Sequence, residues 1–104
     1  MAKRRKTSLG DNRERAYHEL AKEFLSSAHN NFQRIRERHS RSDSCGLVEH
    51  YTDVVAEATV AEAVAYEAGD DALHARARKL VSTATRAQRG ATAACRLGVR
   101  VRSR

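Results

Sequence analysis

Proline and tryptophan are absent from this 104-residue chain, which has only two phenylalanines, three tyrosines and two cysteines. Without proline, the strongest helix breaker, nothing interrupts a helix from within. Five aromatics supply little bulk for a core, so the chain forms one domain at most, and a domain of this size is marginal alone. Self-association or a protein partner is therefore expected. Two cysteines as far apart as Cys45 and Cys95 do not make the disulfide framework of a small secreted protein. No run of about 18 apolar residues occurs, so no span of a bilayer is expected. The opening Lys3-Arg4-Arg5-Lys6 has no apolar stretch behind it, and a secretory leader is not expected either. Together these absences point to a cytoplasmic, nucleoid- or ribonucleoprotein-associated protein whose two cysteines are buried thiols.

Two further absences are local. Residues 44–68 contain no lysine or arginine, and residues 72–104 contain no carboxylate. The formal net charge of +7 is thus unevenly spread: the first 43 residues are basic, the middle is acidic, and the last third carries nine lysines and arginines. A surplus of this kind favours polyanionic partners such as DNA or RNA. What the chain has in abundance is alanine, 18 residues in all, together with Glu, Arg and Leu. These side chains lose little freedom in a helix.

The apolar periodicity predicts three helices. Residues 1–10 read as a flexible basic arm, since like charges repel and no apolar period is present. Asp11 or Asn12 offers a cap, with Glu14 placed to complete a capping box. From there Tyr17, Leu20, Ala21, Phe24, Leu25, Ala28, Phe32 and Ile35 recur at helical spacing, predicting a first helix over residues 12–38. A polar loop follows. Leu47, Val48, Tyr51, Val54, Val55, Ala58, Ala61, Ala65 and Tyr66 predict a second helix over 45–68. Gly69-Asp70-Asp71 is a stop followed by a cap, and so short a connection folds the third helix back on the second. That helix is expected over 71–89, or to 97 if it continues through Gly90, and residues 98–104 read as a basic tail. All five aromatics fall on the core stripes of the first two helices.

The second helix departs from a simple amphipathic pattern. Glu62 projects onto its apolar face, while Val60 and Val64 project elsewhere, among Glu49, Asp53, Glu57 and Glu67. A helix apolar on two sides is usually sandwiched, so Val60, Val64 and Asp53 mark a candidate partner surface. Glu62 reads as a partner for a Tyr, His or Arg side chain, or as a residue at a wet edge of the bundle.

The third helix carries a basic stripe: Arg78, Lys79, Arg86, Arg89 and Arg96. With Lys3, Arg4, Arg5 and Lys6 at one end of the chain and Arg100 and Arg102 at the other, these are the candidate nucleic-acid-binding residues. Arginines about one turn apart suit a phosphate backbone, because each makes forked contacts and several together release counterions. No aromatic is interleaved with them, which disfavours stacking on single-stranded bases. His39, Cys45, His50 and Cys95 would gather at one end of an up-down-up bundle, where a zinc site or a Cys45–Cys95 disulfide is geometrically conceivable, but no ligand pair has the tight spacing of a structural zinc site and two thiols are the default. No metal or cofactor is expected. There is no glycine-rich phosphate loop, G-x-S-x-G or H-E-x-x-H.

Arg13…His18 and Arg34…His39 each fit R-x4-H, the pattern found in the HEPN family of small helical ribonucleases and nucleotidyltransferase partners, which the alanine-rich hairpins also resemble in a general way. That resemblance would make Arg34 a phosphate ligand and His39 a general acid or base. The family carries its motif late in the bundle, whereas both matches here belong to the first helix. In outline the chain also looks like small three-helix ribosomal proteins and the small helical subunits of RNA-guided complexes. The expectation carried forward is an all-α, alanine-rich antiparallel three-helix bundle that binds nucleic acid without catalysis. Its rival is a helical adaptor or oligomerisation module that sets an acidic second helix against a neighbour's basic third.

Overall fold

Aspartate before and glycine after set the ends of the second and third helices, and each does so through a specific bond. In the computed structural model, which describes residues 8–38 and 43–98, three helices account for nearly everything: α1 (Ser8–Glu37), α2 (Ser44–Ala68) and α3 (Asp71–Leu97). The Asp43 carboxylate accepts the Gly46 N–H at 2.7 Å, and Asp70 accepts that of Leu73 at 3.0 Å. Both are side-chain caps that satisfy a donor the first helical turn leaves free. Gly69 closes α2 in the left-handed conformation, with φ of 71°. Its N–H reaches the Tyr66 carbonyl, and that of Asp70 reaches Ala65. This paired pattern requires a residue that tolerates positive φ.

Helix α1 begins at Ser8, ahead of the expected start at Asn12, so Asp11 and Asn12 lie inside the helix instead of capping it. No proline stands in the preceding residues to stop the helix from extending. The basic segments 1–7 and 99–104 lie outside the described residues. Helix α3 runs through Gly90 without a break. A Cβ added at Gly90 meets nothing within 4 Å. Glycine inside a helix costs about 1 kcal/mol relative to alanine. Gly90→Ala is therefore expected to stabilise the fold by about 0.5–1 kcal/mol, read as a raised denaturation midpoint; a lowered midpoint would show that Gly90 is needed for close packing.

The packing is centred on α2. It lies antiparallel against α1 on one flank and against α3 on the other, while α1 and α3 meet only briefly. The two interfaces of α2 are lined by alanines with no exposed surface: Ala58, Ala61 and Ala65 on α2, facing Ala21 and Ala28 of α1 and Ala77, Ala84 and Ala91 of α3. Small side chains let helix axes approach closely. Larger groups are concentrated at one place, where Tyr51, Leu47 and Val54 are the largest fully buried side chains. The Phe32 ring tilts against Tyr51 with centroids 5.8 Å apart, and the Arg36 guanidinium lies 5.6 Å over Phe32. Burial pushes the Tyr51 hydroxyl above its usual pKa, partly opposed by the positive charge of Arg36.

Cross-links complete the α2 interfaces. Asn31 Nδ2 donates to Glu57 Oε1 (3.4 Å) between α1 and α2, and Gln88 Nε2 donates to Thr52 Oγ1 (2.7 Å) between α3 and α2. His18 Nδ1 lies 3.0 Å from Asp70 Oδ2, tying α1 to the α2–α3 turn. The chain's one covalent bridge joins Cys45 to Cys95, with their Cα atoms 4.8 Å apart. This corrects the expectation of two buried thiols: Cys45 is exposed and Cys95 half-buried. The antiparallel hairpin is the cause, because it sets the start of α2 beside the end of α3 within the range a disulfide spans.

Candidate nucleic-acid interface

Arg78, Ser82, Arg86 and Arg89 follow one another at helical spacing along α3, and Arg96 continues the line to the last turn. At 1.5 Å per residue the stripe from Arg78 to Arg96 is about 27 Å long. All of its cations are exposed, because the alanines that bury α3 against α2 lie on the other side of the helix. His74, Arg78, Lys79, Ser82, Thr83 and Arg86 line a surface depression of about 490 Å³. Arg78, Lys79, Ser82 and Arg86 carry polar hydrogens that can be offered to an oxyanion, and His74 can do so from its ring, whereas the Thr83 hydroxyl donates to the Lys79 carbonyl (2.9 Å). No carboxylate lines this depression.

Neutralisation among the described residues is slight. Among the described residues, Glu62 is the one carboxylate that reaches the stripe: its Oε2 lies 3.6 Å from His74 Nε2 and 4.0 Å from Arg78 Nε. Arg78 remains 75% exposed, so this contact is weak and water-screened. Among the described residues, no ion pair engages Lys79, Arg86, Arg89 or Arg96. Glu62 itself is explained as a bundle-edge partner of His74 and Arg78.

Other expected site residues are placed differently. Lys3, Arg4, Arg5, Lys6, Arg100 and Arg102 lie outside the described residues, as does His39. Val60 is 42% exposed and stands on the outer face of α2. Val64 does not: it packs against the cluster of Ala21, Ala65 and Leu73, so this part of the second apolar side of α2 is covered by α1 and α3 of the same chain. Asp53 is exposed and lines a small depression with Arg34, Arg38 and His50. Tyr66 corrects the expectation that every aromatic is in the core. It is 72% exposed, its ring 5.9 Å from that of His74 at the near end of the basic stripe.

Cys45 and Cys95 are joined to each other, and among the described residues no group of three or more His, Cys, Asp or Glu side chains could hold a metal ion. Of the two R-x4-H pairs, His18 is engaged by Asp70 as a structural contact. Sequence reasoning missed His74 and Tyr66 as members of the α3 surface. His74 stands one turn before Arg78 and was detectable by that spacing. Tyr66 was not, because its wheel position lies on the flank between core and solvent. Compared with known proteins, the chain matches no family, no curated protein and no solved structure. The class defined by the fold is an all-α protein of three helices, and no described helix is long and apolar enough to cross a membrane.

Proposed function

We propose that this protein binds nucleic acid without catalysis, gripping the phosphate backbone with the outer face of α3 and with the basic segments at both ends of the chain. The observation that carries the reading is the lack of internal neutralisation: among the described residues Lys79, Arg86, Arg89 and Arg96 are exposed and unpaired, and Arg78 only touches Glu62 at 4.0 Å. Such a surface binds several phosphates at once and gains from counterion release. With Tyr66 as the one exposed aromatic beside the stripe among the described residues, backbone and shape are read in preference to stacked bases.

Binding to a mixed DNA and RNA pool is expected to fall steeply as salt rises. On a plot of log affinity against log salt, replacing Arg78, Arg86 and Arg89 by glutamine should flatten the slope by about one unit for each phosphate no longer neutralised. Absence of any binding at low salt would overturn the reading. The compartment follows the redox state of the Cys45–Cys95 pair. A lasting bond belongs to an oxidising compartment, whereas a nucleoid- or ribonucleoprotein-associated protein of the cytoplasm would carry two thiols.

A further inference from the structure

Because α1 and α3 each pack on α2 and scarcely on each other, a groove of about 700 Å³ opens between them on the side away from α2. Its floor is apolar, made by Leu25 and Phe32 of α1 and Leu73 and Leu80 of α3. Its rim carries Lys22, Arg76 and Lys79, and no carboxylate lines it. An apolar trough with a cationic rim suits an amphipathic helix bearing carboxylates.

One element of this chain has that character. The outer face of α2 presents Ala56, Val60 and Ala63 flanked by the exposed carboxylates Glu49, Asp53 and Glu67, and α2 has no lysine or arginine. In cross-section the molecule is a wedge, with α2 at the apex and the groove at the open side. We infer that the groove receives the α2 ridge of a second copy of this chain, apex into opening, as a fourth helix completing the bundle. The small residues of the ridge let it approach the groove floor closely. The carboxylates meet a rim of opposite sign, which steers and orients the encounter.

The contact is heterologous: ridge and groove are different surfaces, so a dimer keeps one free groove and one free ridge and association continues beyond it. It leaves Arg78, Arg86 and Arg89 outside the groove. Lys79 lines both the groove and the basic depression, so the variants that test the contact leave it unchanged and the test is made without nucleic acid.

Two variants separate the surfaces. Val60→Arg spoils the ridge at an exposed position, and Lys22→Glu with Arg76→Glu spoils the groove rim, also at exposed positions. Circular dichroism and thermal melting check that both fold. Sedimentation velocity of the nuclease-treated wild-type protein at low salt is expected to show a concentration-dependent series of oligomers that dissolves as salt rises. Each variant alone is expected to be monomeric. An equimolar mixture should form a dimer and nothing larger, because one partner supplies an intact ridge and the other an intact groove. A wild type that stays monomeric, a mixture that fails to associate, or oligomers that survive the groove variant would each overturn the inference. In the last case the association belongs to another surface.

Discussion

Breaking the Cys45–Cys95 bond, by reductant or by Cys45→Ser with Cys95→Ser, is expected to cost about 2–4 kcal/mol of stability. For a domain of this size that lowers the melting temperature by roughly 10–25 °C. The bond joins residues 50 positions apart, so the loop it closes takes in nearly all of the α2–α3 hairpin. In the chain-entropy account, closing a loop of that length in the unfolded state is worth about 4 kcal/mol. The fold also decides where the loss of the bond is felt first. Helix α3 is held almost wholly by one flank of α2, through an alanine seam that buries little bulk per turn. Past Gly90 the last two turns of α3 bury only the small side chains of Ala91 and Ala94. Amide hydrogen exchange across residues 90–97 should therefore speed up on reduction well before the rest of the hairpin opens. A melting temperature unchanged by reductant would show that packing alone holds the α2 and α3 termini together.

Tyr51→Ala is expected to be comparably damaging, at about 3–5 kcal/mol, a large share of the 5–15 kcal/mol typical of a whole domain. Tyr51 has no exposed surface and is among the three largest side chains so deeply buried. Its cluster pairs the Phe32 ring, Leu47 and Val54 with Ala28, Ala58, Ala84 and Ala91, and the alanines have no side chain that can move into the space a ring leaves behind, so part of the cavity persists. Tyr51→Phe keeps the ring and should recover most of the loss. The pair of variants also reports on pH. Burial raises the folded-state pKa of Tyr51 above 10.0, so the unfolded chain loses its proton first as the solution turns alkaline. Stability contributed by this residue is then fully present below pH 10 and declines above it. The alkaline decline should be shallower in Tyr51→Phe than in the wild type when followed by denaturant titration. An equal decline in both would assign it to other groups.

The three helices were legible because their determinants are local. Tyr17 through Ile35 keep helical spacing without interruption, and Gly69 followed by Asp70 combines the one residue type at ease with positive φ and a cap for the next helix. The α3 stripe was equally legible, since a run of arginines opposite a run of alanines fixes which side of a helix meets the core. Misplacement came where a residue sits on the flank of its helix. Tyr66 and Val64 both lie between the buried and outer faces of α2, and only the neighbour present on each side decides that Val64 is covered while Tyr66 is not.

By itself, then, the sequence determined the number of helices, their antiparallel order about the Gly69-Asp70 turn and the outward aim of the basic stripe, all of which follow from spacing and capping along one chain. The tertiary structure decided the central position of α2, the union of Cys45 with Cys95, the pairing of Glu62 with His74 and Arg78, and the groove between α1 and α3. The reason is that a helical wheel gives each side chain a direction but not the distance to whatever stands there. Only the packing of three helices at alanine spacing sets those distances.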